Sequence, residues 1–107
     1  MLVVGHSMGA AGAVDAVQKY PGRFAAAAAL GGGGRVRKPE ALSDLPVFVG
    51  VGEQDFARKN AKALHIALTD GKAKHVTFKE YPDVEHLLVV REALGDVFDL
   101  FDKLAKR

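Results

Sequence analysis

The sequence of 107 residues contains no cysteine and carries a formal net charge of +2. Its length suits a single domain, and 49% hydrophobic with 26% charged residues is typical of a globular rather than a disordered chain. The absence of cysteine excludes disulfides, thiolate zinc sites and a cysteine nucleophile, and four dispersed histidines do not indicate a metal site.

The chain begins with a predicted strand followed by a predicted helix. Residues 2–5 are short and wholly apolar, which is typical of a strand buried on both faces. Residues 8–20 have helical periodicity, with Val14 and Val17 on the inner face and Gln18 among the residues expected on the outer face. The Pro-Gly pair that follows Tyr20 ends this helix.

The second apolar run, residues 24–30, is rich in alanine and would be helical by propensity alone. Because it is short and bounded by Pro-Gly on one side and four glycines on the other, we predict a strand. The glycine run, residues 31–34, is expected to form a flexible loop, since it lacks the lysine and the following helix of a phosphate-binding loop. Residues 35–45 are polar and predicted to be a connection.

The second half of the chain repeats the alternation. We predict a strand at 46–51, a helix at 56–68, a strand near the sheet edge at 76–81 and a helix at 87–106. The apolar residues of the last helix define its expected inner face: Leu87, Val90, Leu94, Val97, Phe98, Phe101 and Leu104. Asp96, Asp99 and Asp102 are expected on its solvent side. This order of elements predicts an α/β fold with helices on a mostly parallel sheet.

A Gly-His-Ser-Met-Gly motif lies where the first strand meets the first helix, at residues 5–9. A serine at the tip of such a sharp turn is presented to substrate, and small residues at Gly5 and Gly9 would let the strand and helix come close. The hydroxyl of Ser7 would still need a base to accept its proton, and the base would need an orienting anion.

Candidates for these groups follow the later strands. Asp55 comes after the third strand and His86 after the fourth. The carboxyl ends of parallel strands share one edge of a sheet, so we expect Ser7, Asp55 and His86 to converge there. Glu53 and Asp83 are alternative carboxylates, each a weaker match to the expected position.

In these features the chain resembles the C-terminal half of an α/β-hydrolase. It is most similar to small serine esterases and carboxylesterases, including dienelactone-hydrolase-like and prolyl-oligopeptidase-like enzymes. The resemblance lies in residues 5–9, 20–24, 46–55 and 81–86 and in the order Ser, Asp, His. It implies that Ser7 is the nucleophile, His86 the general base and acid, and Asp55 the orienting carboxylate, with the Met8 N–H as one oxyanion-hole donor.

The resemblance also implies a fold. We expect residues 1–107 to form one truncated or minimal α/β-hydrolase domain, with about four mostly parallel strands and three main helices. The N-terminal strands, the loop with the second oxyanion donor and any cap domain would be missing. Losing one oxyanion donor can cost ~10²–10³ in rate. We therefore expect a weak esterase with an open site for small or short-chain carboxylic esters, and no cofactor or metal.

The edge of the first strand bears on expected partners. Leu2, Val3 and Val4 would leave an apolar edge open, so we expect a homo-oligomer, a dimer or higher, that pairs through it.

Basic and aromatic residues do not interleave, and no apolar run approaches the ~20 residues of a membrane span, so neither nucleic-acid binding nor a span is indicated. No signal peptide is evident, which favours a cytoplasmic location. Two rival interpretations are an inactive oligomerisation or binding module, and a half-domain that needs an N-terminal partner.

Overall fold

Strands and helices alternate throughout the computed structural model, which describes residues 2–20, 22–53, 55–82 and 89–105. The elements are β1 (Leu2–His6), α1 (Met8–Lys19), β2 (Ala26–Leu30), α2 (Pro39–Leu42), β3 (Val47–Gly52), α3 (Arg58–Asp70), β4 (Val76–Tyr81) and α4 (Val89–Ala105). Each predicted strand and each of the three long helices is present. The short helix α2 was not predicted, because its four residues lie within a polar segment.

The four strands form one sheet in the order β1-β2-β3-β4, and every pairing is parallel. The register places Val4 beside Ala28 and Ala28 beside Phe48. This confirms the predicted α/β fold. Because the strands are parallel, the loops that follow β1, β2, β3 and β4 all leave from the same edge of the sheet, and this edge holds the candidate site.

Strand β2 lies between two layers of helices. All five of its residues are fully buried. Ala27 and Ala29 join the core beneath α1 and α3, and Ala26, Ala28 and Leu30 join the core beneath α4. Burial on both faces explains why this alanine-rich segment is a strand despite its helical propensity, since tertiary packing overrides a weak local preference.

The inner face of α1 contains a polar residue that the periodicity did not predict. Gln18 was expected to face solvent, but it is only 3% exposed. Its side-chain Nε2 donates hydrogen bonds to the carbonyls of Val14 and Arg35, at 3.1 and 2.8 Å. Its Oε1 accepts hydrogen bonds from the N–H groups of Arg37 and Lys38, at 2.6 and 2.9 Å. The segment after the glycine run passes over α1, and Gln18 satisfies backbone groups there.

Replacing Gln18 by leucine is expected to lower the free energy of unfolding by about 1–2 kcal/mol, because partly buried backbone groups of the 35–38 segment would lose their partners. Urea denaturation followed by circular dichroism measures the change. Lys19→Ala, at the next and exposed position, is the matched control and should change stability by less than about 0.5 kcal/mol. Equal stability of Q18L and the wild type would contradict this role of Gln18.

The inner face of α4 is narrower than predicted. Ala93, Val97 and Phe101 are buried at i, i+4 and i+8, whereas Phe98 is 61% exposed, so its predicted inward position is wrong. The reason is that α4 packs against β2, β3 and β4 through one row of residues. Leu94 is half-buried. The side chains of Leu87, Val90 and Leu104 lie outside those that the structure describes.

Asp96 was expected on the solvent side of α4, but its carboxylate faces β4. Its Oδ2 accepts hydrogen bonds from Lys79 Nζ at 2.7 Å and from Tyr81 Oη at 2.6 Å. The hydrogen bonds from Lys79 and Tyr81 hold the pKa of Asp96 below its usual value. The ionised carboxylate therefore links α4 to β4. Phe98 follows Asp96 by about 200° around the helix and so lies on the opposite flank of α4.

Strand β1 is at the edge of the described sheet and has one strand neighbour, β2. Val3 packs against the core beneath α1, while Leu2 and Val4 on the other face are 46% and 43% exposed. The edge strand thus has apolar side chains in contact with solvent, as predicted. None of the helices in the described part of the chain is long and apolar enough to cross a membrane.

Candidate active site

Ser7 occupies a strained turn between β1 and α1. Its backbone has φ 60° and ψ −120°, a conformation that costs a residue with a side chain about 1–3 kcal/mol. Two hydrogen bonds hold it: the Ser7 N–H donates to the Leu30 carbonyl at 2.9 Å, and the Ala10 N–H donates to the Ser7 carbonyl at 3.0 Å. The chain therefore changes direction within one residue, which is the geometry of a nucleophile elbow.

The glycines around Ser7 have unequal roles. A Cβ atom at Gly5 would overlap the carbonyl oxygen of Gly9, so the close approach of β1 and α1 requires a glycine there. At Gly9 an added Cβ would meet no described atom within 4 Å, so the expected steric requirement at this position is not present. Gly32, which the motif does not include, would place a Cβ 2.5 Å from the Ser7 carbonyl oxygen.

The glycine run after β2, which was expected to form a flexible loop, packs closely against its neighbours. Gly31 has φ 64° and is buried together with Gly32. A Cβ at Gly33 would overlap the backbone of Asn60, and one at Gly34 would lie 3.0 Å from Val14 Cβ. The segment passes between α1 and the start of α3, where side chains do not fit.

Asp55 lies in the turn that follows β3, as predicted. It is 5% exposed, and its Oδ1 accepts a hydrogen bond from the Ala57 N–H at 2.8 Å. The alternative carboxylate Glu53 is exposed. Burial and the hydrogen bond therefore favour Asp55 as the fixed carboxylate at this strand end. His86 and the other alternative, Asp83, lie outside the described residues.

The register of the sheet determines where Ser7 and the turn containing Asp55 lie relative to each other. His6 pairs with Leu30, Leu30 with Gly50, and Gly52 with Tyr81. Ser7 and the turn containing Asp55 therefore leave the same edge of the sheet from β1 and β3, with the glycine run between them. The segment that leads to His86 leaves this edge from β4.

A cleft of ≈ 680 Å³ opens above this edge. Ser7 lines it together with the glycine run, Ala57 and Asn60. Met8 and Phe56 also line it and are 89% and 83% exposed. The sequence does not predict that Phe56 and Asn60 line a cleft, since neither lies in a recognisable motif. Among the residues that the structure describes, no cluster of His, Asp or Glu could hold a metal ion.

Solved structures of other proteins, among them esterases and a thioesterase, have a similar fold. A thermostable esterase is 34% identical and matches 78% of this chain, with a TM-score of 0.68. Acyl-protein thioesterase 2 of Zea mays is 23% identical and matches 94% of the chain, with a TM-score of 0.77. SOBER1 of Arabidopsis thaliana is 18% identical and matches 97%, with a TM-score of 0.81. This chain has part of an α/β-hydrolase fold.

The α/β-hydrolase neighbours are longer than this chain. It spans 52% of SOBER1, 54% of the maize thioesterase and 22% of the thermostable esterase. No protein-family model matches the sequence, and no curated protein sequence matches it significantly. The similarity to α/β-hydrolases therefore rests on the fold and on the 34% identity with the thermostable esterase.

Proposed function

We propose that the chain is a serine hydrolase that cleaves small or short-chain carboxylic esters. The observation that carries this proposal is the backbone of Ser7, with φ 60° and ψ −120°, in the wall of a cleft of ≈ 680 Å³. Structural strain at a cleft residue is found where a fixed geometry serves chemistry. The 34% identity with a thermostable esterase supports ester hydrolysis.

In the proposed mechanism, Ser7 Oγ attacks the ester carbonyl while His86 accepts the hydroxyl proton. The resulting oxyanion receives a hydrogen bond from the Met8 N–H, which is the first of α1 and lacks a partner within the helix. The positive end of the α1 dipole adds to this stabilisation. His86 then protonates the departing alcohol, and the acyl group remains on Ser7.

Deacylation reverses the roles of the same groups. His86 accepts a proton from water, the water oxygen attacks the acyl carbonyl, and the carboxylic acid leaves as Ser7 recovers its proton. Asp55 orients His86 and stabilises its charged form. The burial of Asp55 and its hydrogen bond from Ala57 keep that carboxylate in one position. An open cleft of ≈ 680 Å³ offers little selection by chain length, which supports short acyl groups.

The open edge of β1 supports two further possibilities. Leu2 and Val4 are 46% and 43% exposed beside unpaired backbone groups, so two copies could pair through their β1 strands into a dimer. The neighbours' additional length supports a half-domain that gains activity from a separate N-terminal partner. An inactive module that only oligomerises or binds would form the dimer but would not hydrolyse esters.

A fluorophosphonate, which forms a covalent adduct with an activated serine, tests the enzyme proposal. Intact mass and peptide mapping should place one adduct on Ser7 of the purified chain. The labelling rate should fall at least about 10³-fold in His86→Ala. Ser7→Ala should give no adduct. An unlabelled wild type would contradict the proposed hydrolase, unless a complementary N-terminal fragment restores labelling, which would identify the half-domain.

The pairing of two β1 strands is tested separately. Light scattering at micromolar concentration should detect a dimer, and a monomer would contradict the β1 pairing.

A further inference from the structure

The wall of the cleft that contains Ser7 carries two arginines that the proposed mechanism does not use. Arg35 and Arg37 both line it and both are exposed. The salt bridges in the described part of the chain involve Arg58, Lys62, Lys74 and Lys79, and they leave both of these guanidinium groups without a carboxylate partner. Four of the described cations are thus paired with carboxylates within the protein, whereas the two guanidinium groups at the cleft are available to a ligand.

The backbone that bears these arginines is fixed. The buried side chain of Gln18 accepts a hydrogen bond from the Arg37 N–H at 2.6 Å and donates one to the Arg35 carbonyl at 2.8 Å. The preceding glycines pack against Val14 and Asn60. The arginine stems therefore start from defined positions, which reduces the entropy lost when their side chains close on a ligand.

Positive charge continues beyond the cleft. A smaller cleft of ≈ 250 Å³ shares Arg37 and Asp15 with it and adds Lys19 and Lys38. Asp15 is the one carboxylate that lines either cleft, and it is exposed. The described walls thus hold four cations and one anion, which creates a positive potential beside Ser7.

We propose that Arg35 and Arg37 bind an anionic group of the substrate, a carboxylate or a phosphate, so that the preferred esters carry a negative charge. This inference rests on the proposed hydrolysis at Ser7. The planar guanidinium group forms paired hydrogen bonds with either oxyanion. The same cleft is also lined by the apolar side chains of Met8 and Phe56, so a substrate with an apolar middle and an anionic end would match its lining.

Three fluorophosphonates of equal chain length provide the test, ending in a primary amide, a carboxylate or a phosphate. The measured quantity is the ratio of the Ser7 labelling rate with each anionic reagent to the rate with the amide. We expect a ratio of about ten at low ionic strength, which falls toward one at 1 M salt because the exposed charges are screened. The relative ratios of the two anionic reagents distinguish carboxylate from phosphate.

Variants separate the arginines from general charge effects. The double substitution Arg35→Ala with Arg37→Ala should bring the ratio to about one, and lysine at both positions should retain part of it. Asp15→Asn should raise the ratio, since it removes the opposing charge. Arg23→Ala removes an equal charge in the exposed turn after α1, outside the residues that line either cleft, and should leave the ratio unchanged.

The two proposals fail in different ways. If the amide reagent labels Ser7 and the ratio is one in the wild type, the anion site is contradicted while the hydrolase proposal stands. If no reagent labels Ser7, the hydrolase proposal fails, and titration of the ¹⁵N-labelled protein with the monoamide of glutaric acid and with butyl phosphate tests the anion site alone. Shifts of the glycine-run amides that vanish in the double arginine variant support the site. Unshifted signals overturn it.

Discussion

Replacing Asp55 by asparagine is expected to lower the labelling rate of Ser7 by about 10³- to 10⁴-fold while the fold is retained. The asparagine oxygen can still accept the hydrogen bond from the Ala57 N–H that Asp55 Oδ1 accepts at 2.8 Å. The substitution therefore removes the negative charge while this hydrogen bond can be kept. In the proposed mechanism, His86 would then lose both the group that orients it and the stabilisation of its protonated form.

The matched control is Glu53→Gln, which removes a carboxylate from the same strand end. Glu53 is exposed, whereas Asp55 is 5% exposed, so E53Q should label within a few-fold of the wild type. Labelling rates come from intact mass at timed intervals, and urea denaturation shows whether each variant is folded. If D55N labels normally and E53Q does not, the acidic member of the triad is Glu53.

The second large effect is expected at Gly5. Gly5→Ala should lower the free energy of unfolding by about 3 kcal/mol or more, because the added methyl group would overlap the Gly9 carbonyl and force β1 away from α1. The same displacement would break the hydrogen bond from the Ser7 N–H to the Leu30 carbonyl, which fixes the elbow. Urea denaturation and fluorophosphonate labelling should both respond.

Gly9→Ala is the control for the same substitution on the other side of Ser7. An added Cβ there meets no described atom within 4 Å, and alanine favours a helix over glycine by up to about 1 kcal/mol. G9A should therefore be as stable as the wild type or slightly more stable. Equal destabilisation by G5A and G9A would contradict the asymmetric packing of the elbow.

The predictions for Gly5 and Asp55 distinguish two contributions to the proposed site, backbone packing and charge. Gly5 acts through backbone packing and affects both stability and labelling. Asp55 acts through its charge and affects labelling with the fold preserved. Gly32, like Gly5, acts through backbone packing, because it lies close to the Ser7 carbonyl. It thereby connects the turn at Ser7 to the glycine run. Arg35 and Arg37 follow this run and line the same cleft as Ser7. The proposed nucleophile and the proposed anion site are thus parts of one packed unit.

Much of the architecture could be predicted from the sequence because it depends on local patterns. Short apolar runs between Pro-Gly and glycine-rich turns indicated the four strands. Alternation along residues 76–81 indicated that the last strand lies near the edge, and β4 occupies that position with alternating burial. The positions of Ser7 and Asp55 after β1 and β3 followed from the same pattern, since a parallel sheet directs those loops to one edge.

The errors occurred where a residue's partner is distant in sequence. The periodicity of α1 placed Gln18 on the outer face, because it carries no information about the 35–38 backbone that crosses there. The periodicity of α4 could not show that Asp96 pairs with Lys79 and Tyr81, or that Phe98 is exposed. Composition indicates which residues can be buried, but the crossing of two segments decides which ones are.

By itself, the sequence determined the α/β order, the parallel sheet and the turn that bears Ser7, since these follow from apolar runs, turn residues and strand direction. The tertiary structure alone decided that Gly5 and Gly32, not Gly9, make room for the elbow, and that the glycine run is packed. It also brought Arg35 and Arg37 to the wall of the Ser7 cleft. These features depend on distances between segments far apart in the chain, which are fixed only when the helices pack on the sheet.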